Sequence, residues 1–217
     1  STTGAITKYE YDAIGRNTAI IDALGNRTEF EYNEHSQLSV MRDAKSNEYK
    51  YEYDLNGNAV RMTSPSKSAL YVYNADNRLI RATVQSGNNV SVEEYKYDYA
   101  GNRIAKISEG EYTKYLLDIN GSLTYVLAEL DYSGKEKCYY TRADELISQE
   151  RDGKISYYVY DGHGSVRALT DDDGNVTDKY VYDPFGNLIS SYGSTKNDFL
   201  FAGEQFDPVT GLYYLRA

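Results

Sequence analysis

A short phrase, Tyr-Asp-x-x-Gly-Asn, recurs along the whole chain about every twenty residues, in full and degenerate copies. The leading pairs are Tyr11-Asp12, Tyr32-Asn33, Tyr53-Asp54, Tyr73-Asn74, Tyr97-Asp98, Tyr160-Asp161 and Tyr182-Asp183. A fixed period of this size is typical of repeat architectures, in which each copy is one supersecondary unit stacked on its neighbours. The sequence therefore predicts an extended surface built from repeats, and not a fold organised around a single active site.

Each copy carries two aromatic rings, separated by one residue, directly before its turn. The triplets are Tyr9-Glu10-Tyr11, Phe30-Glu31-Tyr32, Tyr51-Glu52-Tyr53, Tyr71-Val72-Tyr73, Tyr95-Lys96-Tyr97, Tyr158-Val159-Tyr160 and Tyr180-Val181-Tyr182. Residues two apart on a strand share a face, so each copy sends a pair of rings to one side of a sheet. The chain has 25 Tyr beside 5 Phe and no Trp. We therefore expect a ladder of stacked tyrosine rings, mostly buried, to be the main source of stability.

The turn that follows the rings is opened by Asp or Asn, whose side chain can accept a hydrogen bond from the backbone two residues on. Glycine comes three residues later, where we expect a positive φ. The residues that define the repeat are Tyr11, Asp12, Gly15, Tyr53, Asp54, Gly57, Tyr97, Asp98, Gly101, Tyr160, Asp161, Gly164, Tyr182, Asp183 and Gly186. The prediction is an all-β fold of consecutive antiparallel hairpins, forming a long curved or spiralling ribbon.

Repeat regularity divides the chain into three segments. Residues 1–110 are regular hairpins, residues 111–157 are degenerate repeats, and residues 158–217 form a more specific closing segment. We also expect longer loops at residues 64–68, 86–89 and 191–197.

The residue between the two rings changes along the chain. It is Glu10, Glu31 or Glu52 early, and Val159 or Val181 late. Because glutamate needs water and valine tolerates burial, we expect the C-terminal third to be covered on both faces. The N-terminal third would be exposed to solvent on one face.

The net charge of -10 argues against binding DNA, RNA, heparin or an anionic membrane, since such partners need a basic surface. The single cysteine, Cys138, has no internal disulfide partner. No apolar stretch approaches the 18 residues of a membrane-spanning helix.

These repeats resemble those of the YD-repeat family, which includes bacterial Rhs proteins, wall-associated contact toxins, the C subunit of insecticidal toxin complexes and animal teneurins. The last sixty residues resemble the Rhs-associated core segment. Its motif residues here are Asp207, Pro208, Gly211, Leu212, Tyr213, Tyr214 and Arg216.

The resemblance implies a ribbon wound into a hollow shell around a toxin polypeptide, secreted or held at the surface of a bacterium. In the family the core segment closes that shell and commonly ends in a self-cleaving aspartyl protease motif. This chain stops at Ala217, before that motif, so no protease residue is carried over and no enzymatic activity is expected. The expected partners are the toxin polypeptide and the rest of the parent shell, with self-association through free strand edges.

Three groups of residues invite a chemical interpretation, and a turn explains each more simply. Asp171–Asn175 begins like a calcium loop, but the twelfth position, which requires a glutamate, is Tyr182. Gly162–Ser165 places His163 beside a serine on the repeat's turn, without a visible third group for a triad. Asp183 and Asp207, each before proline, are interpreted as turn formers and not as a carboxylate pair.

No cofactor or metal is expected from these patterns. Cys138 lies in a strand-like run without an adjacent histidine, which favours a packed structural thiol over a nucleophile. His35 lies in a turn position and is expected to be exposed.

The sequence thus favours a structural, encapsulating module. The alternative is a cell-surface or carbohydrate-binding module, which would need a coplanar cluster of outward-facing tyrosines. A third hypothesis, a self-cleaving or nuclease enzyme, is disfavoured by the acidic charge and by the absence of the cleavage stretch.

Overall fold

The computed structural model describes residues 6–121 and 123–216. The outer ends of the first and third predicted segments, residues 1–5 and Ala217, therefore lie outside the described part. The strands are β1 (Lys8–Tyr11), β2 (Asn17–Ile21), β3 (Arg27–Tyr32), β4 (Leu38–Arg42), β5 (Glu48–Tyr53), β6 (Ala59–Thr63), β7 (Ser68–Tyr73), β8 (Leu79–Ser86), β9 (Asn89–Tyr97), β10 (Arg103–Ser108), β11 (Glu111–Asp118), β12 (Tyr125–Leu130), β13 (Glu136–Arg142), β14 (Leu146–Arg151), β15 (Lys154–Tyr160), β16 (Val166–Thr170), β17 (Val176–Tyr182), β18 (Leu188–Tyr192), β19 (Gln205–Asp207) and β20 (Leu212–Tyr214).

The first eighteen strands belong to one antiparallel sheet, and β19 and β20 form a separate hairpin. This confirms the all-β fold of consecutive hairpins. The described residues contain no α-helix, and their helical geometry is limited to one 3-10 turn, Phe201–Gly203. In the same part of the chain, no helix has the length and apolarity needed to cross a membrane.

The Tyr-Asp turn has the same geometry in successive repeats, as its first copy illustrates. The Asp12 carboxylate accepts hydrogen bonds from the backbone N–H of Ile14 and Arg16, at 3.0 and 2.9 Å. Gly15 has φ +87°, and its N–H donates to the Asp12 carbonyl at 3.1 Å. A β-bulge precedes the turn, because Glu10 lies opposite Ala19 while Tyr11 lies opposite Asn17. Each repeat therefore combines a strand, a bulge and a side-chain-closed turn.

The other repeat positions predicted from the sequence have equivalent placements. Tyr53, Tyr97, Tyr160 and Tyr182 each end a strand. Asp54, Asp98, Asp161 and Asp183 each accept the N–H four residues on. The φ angles are +88° at Gly57, +95° at Gly101, +78° at Gly164 and +87° at Gly186. Since these turns all follow odd-numbered strands, they lie along one edge of the ribbon, whereas bare-Asp turns such as that of Asp22 follow even-numbered strands.

The two longer loops expected in the first half are tight hairpin turns, so that expectation was wrong. Ser64 donates its N–H to the Lys67 carbonyl at 2.8 Å, which closes a four-residue turn between β6 and β7. Only Gly87 and Asn88 separate β8 from β9. The degenerate segment 111–157 likewise forms regular strands, because pairing needs alternation and turns more than it needs the full motif.

The chain divides into two compact units, one up to Val92 and one from Glu93 onward. In the first unit, one sheet face carries charged residues that pair across strands. Arg27 bridges Glu10 and Glu29, at 2.7 and 2.8 Å. Arg42 likewise joins Glu31 and Glu48. Exposed pairs of this kind contribute little stability, so this face is chiefly a solvated surface.

The second unit has a larger apolar core. It includes Tyr115, Val126, Cys138, Tyr140, Leu146, Tyr158, Val166, Leu169, Tyr180, Tyr182, Phe199 and Leu200. We call the sheet face that carries Tyr140, Tyr158, Leu169 and Tyr180 the covered face, and the opposite side of the same strands the open face.

The three segments defined by repeat regularity remain a sequence-based proposal.

The expectation that the C-terminal third is covered on both faces was wrong. Val159 and Val181 lie on the open face and are 42% and 43% exposed, much like the Glu10 side chain at 48%. Valine tolerates burial but does not require it, and these two side chains stay open to solvent among the described residues.

The ring ladder is also less buried than expected. Six tyrosines are buried: Tyr95, Tyr115, Tyr140, Tyr158, Tyr180 and Tyr182. Seven are exposed: Tyr9, Tyr11, Tyr99, Tyr132, Tyr139, Tyr157 and Tyr192. The other twelve are half-buried. All six buried rings lie in the second unit, since no described segment of the first unit buries its tyrosine rings.

Candidate functional site: the covered face and its return segment

Residues 193–216, which we call the return segment, turn back from β18 and pack on the covered face. Phe199 meets Tyr140 edge-on at 5.1 Å between ring centroids, and Phe201 meets Tyr182 at 5.6 Å. The Val166 N–H donates to the Leu200 carbonyl at 3.0 Å. The return segment thereby supplies the second layer that the apolar side of the sheet requires.

The predicted core-segment motif forms the β19–β20 hairpin at the end of the return segment. Asp207 ends β19, Pro208 lies in the turn, and Leu212, Tyr213 and Tyr214 make up β20. The Gly211 N–H donates to the Asp207 carbonyl at 2.8 Å. The Tyr213 hydroxyl donates to the Gly186 carbonyl at 3.0 Å, and the Tyr214 hydroxyl accepts the Arg103 N–H at 2.9 Å. Two tyrosine hydroxyls therefore fix the hairpin to turns of the main sheet.

In five of the triplets, the last tyrosine makes a contact that sequence reasoning missed. Its hydroxyl donates to a backbone carbonyl of the preceding hairpin, as in Tyr32 to Asn17, Tyr53 to Leu38, Tyr73 to Ala59, Tyr160 to Leu146 and Tyr182 to Val166, at 2.7–3.0 Å. A bulge leaves ladder carbonyls unpaired, and the hydroxyl satisfies one of them. Phenylalanine lacks the hydroxyl, which explains why the repeat uses tyrosine.

A buried ion cluster joins β9 and β10 to the return segment. Its members are Glu93, Arg103, Lys106, Asp198 and Asp207. Arg103 and Asp207, only 3% and 4% exposed, are 2.5 Å apart. Lys106 lies 3.2 Å from Asp207 and 3.6 Å from Asp198.

Glu93 is tied to the same strands by neutral donors. Its carboxylate accepts hydrogen bonds from the Tyr95 hydroxyl at 2.8 Å and the Ser108 hydroxyl at 3.0 Å. Burial, with the charge of Asp207 adding to it, raises the pKa of Glu93. Burial opposes the charge of Lys106, but its acidic neighbours, Tyr115, Asp198 and Asp207, raise its pKa. Removing one member of such a network leaves a buried charge unpaired, so the cluster holds the return segment in one position.

Two further buried carboxylates stabilise the covered face. Glu129 accepts hydrogen bonds from the Tyr140 hydroxyl at 2.6 Å and from Arg151 at 3.0 Å. Asp178 accepts them from Thr177 and from both the N–H and the hydroxyl of Thr195, at 2.6–2.9 Å. Asp178 thereby anchors the start of the return segment.

The structure corrects one of the sequence interpretations. Asp183 forms a turn as predicted, accepting the N–H groups of Phe185 and Asn187. Asp207 also opens a turn, but through its carbonyl, which accepts the Gly211 N–H; its carboxylate is the acid that pairs with Arg103 and Lys106. The predicted side-chain role was wrong because the partners of the carboxylate lie about a hundred positions earlier in the chain.

The other candidate residues lie in turns or in the packed core. Asp171 accepts hydrogen bonds from the N–H groups of Asp173 and Asn175, and the described residues hold no group of three or more His, Cys, Asp or Glu side chains arranged for a metal ion. His163 is exposed in its turn, 5.5 Å from the Phe201 ring, and His35 is exposed as expected. Cys138 is buried, which raises its pKa to about 11 and leaves it a packed thiol.

The family model of the teneurin YD-shell matches residues 2–217. The chain belongs to the Teneurin YD-shell family. The YD-shell repeat is therefore the hairpin described above, with its rings, bulge and Asp-closed turn.

Two curated relatives are the tRNA3(Ser)-specific nuclease WapA of Bacillus spizizenii and the tRNA nuclease WapA of Bacillus subtilis strain 168. They are 38% and 36% identical over 169 residues, which is 76% of this YD-shell chain. The chain spans only 7% of the length of either relative, so their nuclease activity cannot be assigned to it from this match.

Solved structures with similar folds include the Photorhabdus luminescens Tc holotoxin pore and a crystal structure of TcdB2-TccC3 without the hypervariable C-terminal region. The TM-score is 0.48 for each, at 14% and 13% identity. Each match covers 96% of this YD-shell chain and 17% of the solved chain.

Proposed function

We propose that this chain is a wall module of a bacterial YD shell, and that the parent protein encloses a polypeptide, a toxin in the family's bacterial members. The observation that carries the proposal is the family match over residues 2–217, together with a hairpin sheet in which the tyrosines of each triplet share one face. The module forms part of the shell wall and catalyses no reaction of its own. Its partners are the rest of the parent shell and the enclosed polypeptide, and its location is outside the cell or at the cell surface.

The distribution of buried groups supports a wall role. Buried carboxylates on the covered face are engaged by fixed partners, as Glu129 is by Tyr140 and Arg151, and Asp207 by Arg103. Groups held in this way stabilise one conformation and are not presented to a substrate. A cleavage product accumulating in the purified chain would contradict the proposed absence of catalysis.

The tyrosine arrangement does not favour the alternative of a carbohydrate-binding module. The near-parallel ring pair Tyr158–Tyr160, at 6.2 Å and 20°, lies in the packed second unit. The exposed ring of Tyr132 meets Tyr112 edge-on, with 78° between ring planes. At these positions, the outward-facing rings do not form the coplanar platform on which a sugar stacks.

Protease protection of the parent protein tests the proposal. We expect the polypeptide that follows the shell to resist trypsin in the intact parent and to be digested when expressed alone. Tyr158→Ala, on the covered face, should open the wall and expose it, whereas Tyr157→Ala, the adjacent residue on the open face, should not. Equal digestion rates for the enclosed and the free polypeptide would refute encapsulation, independently of the digestion rates measured for the two tyrosine variants.

A further inference from the structure

Two adjoining cavities lie where the end of β13 meets the return segment. The larger has a volume of about 140 Å³, and its lining includes Tyr125, Arg142, Tyr160 and Arg216. The smaller, of about 20 Å³, shares Tyr125, Arg142 and Arg216. A cavity needs about 10–15 Å³ of such space to hold one water, so the larger cavity has room for a small organic ligand.

Two guanidinium groups lie against the Tyr125 ring. The Arg142 Cζ lies 4.2 Å from the ring centroid, and the Arg216 Cζ lies 5.2 Å from it. The planar aromatic side chain restricts both arginines, which fixes the direction of their N–H donors. The shared wall of the cavities is therefore a preorganised set of hydrogen-bond donors.

The two arginines differ in how they are neutralised. Arg216 binds both carboxylate oxygens of Glu204, with its Nε 3.1 Å from Oε2. Arg142 has no ion pair or hydrogen bond to any described residue, and its Nε is buried without an acceptor. Burial lowers the pKa of Arg142, and the charge of Arg216 lowers it further. Arg142 is therefore a cation of these cavities without a directly bonded acid, and Glu204 supports its charge only from a distance.

The remaining lining residues give the two ends of the larger cavity opposite charges. Asp144 and Glu145, in the exposed turn between β13 and β14, also line it. Their exposure places them at the solvent side, whereas the buried Nε of Arg142 lies at the inner side. A ligand with an anionic inner end and a cationic outer end would complement both.

We propose that the larger cavity is a carboxylate-binding site. The ligand carboxylate forms paired hydrogen bonds with the Arg142 guanidinium, and a cationic group at its other end faces Asp144 and Glu145. A carboxylate fits this site because the guanidinium fork matches its two oxygens and supplies donors only. The site does not depend on encapsulation, since every residue that forms it belongs to the second unit of this chain.

The carboxylate has two possible sources, a free zwitterion or a side chain of a polypeptide. Titration of the full chain with β-alanine, with acetate and with doubly blocked aspartate compares them, and acetamide serves as the uncharged control. The reporter is the Nε–H signal of Arg142 in a proton–nitrogen correlation spectrum, assigned by its loss in Arg142→Lys. We expect saturable shifts with the three carboxylates, tightest with β-alanine, and none with acetamide.

Arg142→Gln should weaken carboxylate binding at least about tenfold, followed through the backbone N–H signals around the cavity. Arg61→Gln, which removes an exposed arginine of the first unit, is the matched control and should bind as the unaltered chain does. Signals outside the cavity that stay unchanged in Arg142→Gln show that the fold is kept. Blocked aspartate binding more tightly than β-alanine would assign the site to a polypeptide side chain and refute the role of Asp144 and Glu145. Equal shifts with acetate and acetamide, or equal binding by the two variants, would overturn the site.

Discussion

Replacement of Gly193 by alanine tests how the return segment is anchored. Gly193 follows β18 directly and has φ +101°. A Cβ at this position would lie 2.0 Å from Asp178 Oδ1 and 2.6 Å from the backbone oxygen of Thr177. Since the backbone of β17 cannot move without losing its strand pairing, the substitution must displace the Asp178 carboxylate.

The expected cost has two parts. Alanine with a positive φ costs about 1–2 kcal/mol. Displacing the carboxylate breaks charge-assisted hydrogen bonds to Thr195, each contributing about 1.5–3 kcal/mol. With two such bonds lost, Gly193→Ala should lower the free energy of unfolding of the second unit by roughly 4–8 kcal/mol.

Gly174→Ala is the matched control. Gly174 has φ +81°, and a Cβ built on it meets no atom within 4 Å, so only the backbone strain applies. Urea unfolding followed by circular dichroism should give a loss of about 1–2 kcal/mol for Gly174→Ala and at least twice that for Gly193→Ala. Equal losses in the two variants would show that Asp178 does not anchor the return segment.

Three further results are expected. Tyr182→Phe should destabilise by about 1 kcal/mol, because the Val166 carbonyl loses its donor, whereas Tyr157→Phe at an exposed ring should cost less than half of that in the same urea assay. The pKa of Glu93 is raised in the folded chain, so the stabilising contribution of this side chain is complete below its unfolded pKa of about 4.3 and is lost as the pH rises through its folded pKa. Glu93→Gln should therefore reduce the loss of unfolding free energy that the unaltered chain shows above about pH 4.3. Parallel plots of unfolding free energy against pH for the two chains would contradict this. The Cys138 thiol should react with Ellman's reagent only after denaturation, and rapid labelling of the folded chain would show that it is accessible.

The parts of the fold that sequence reasoning predicted correctly are those that depend on near neighbours. The Asp12 turn closes through contacts with residues two to four positions away, so the motif itself contains every group that the geometry needs. Period-two aromatics followed by such turns specify a hairpin, and repetition of hairpins specifies an antiparallel sheet. The same reasoning explains why the degenerate middle of the chain still forms strands.

The parts that sequence reasoning missed depend on which distant segments meet. Arg103 and Asp207 are 104 positions apart, and neither has a local signal that it is buried. The exposure of Val159 was mispredicted for the same reason, because a residue's type records what it tolerates and not whether a second layer covers it. A clue to the tyrosine hydroxyl bonds was that every one of the seven triplets ends in tyrosine and none in phenylalanine, which implies a use for the oxygen.

The tyrosine hydroxyl bond reaches back to the hairpin before it, fifteen positions earlier for both Tyr32 and Tyr53. Each copy that makes this bond brings its own donor and finds its acceptor in the copy before it, so the deletion or duplication of one whole period among these copies rejoins equivalent groups. Recombination between copies can therefore change the length of such a protein without requiring a new interface to evolve. A half-period change would transfer all later Tyr-Asp turns to the opposite edge, and selection should remove it.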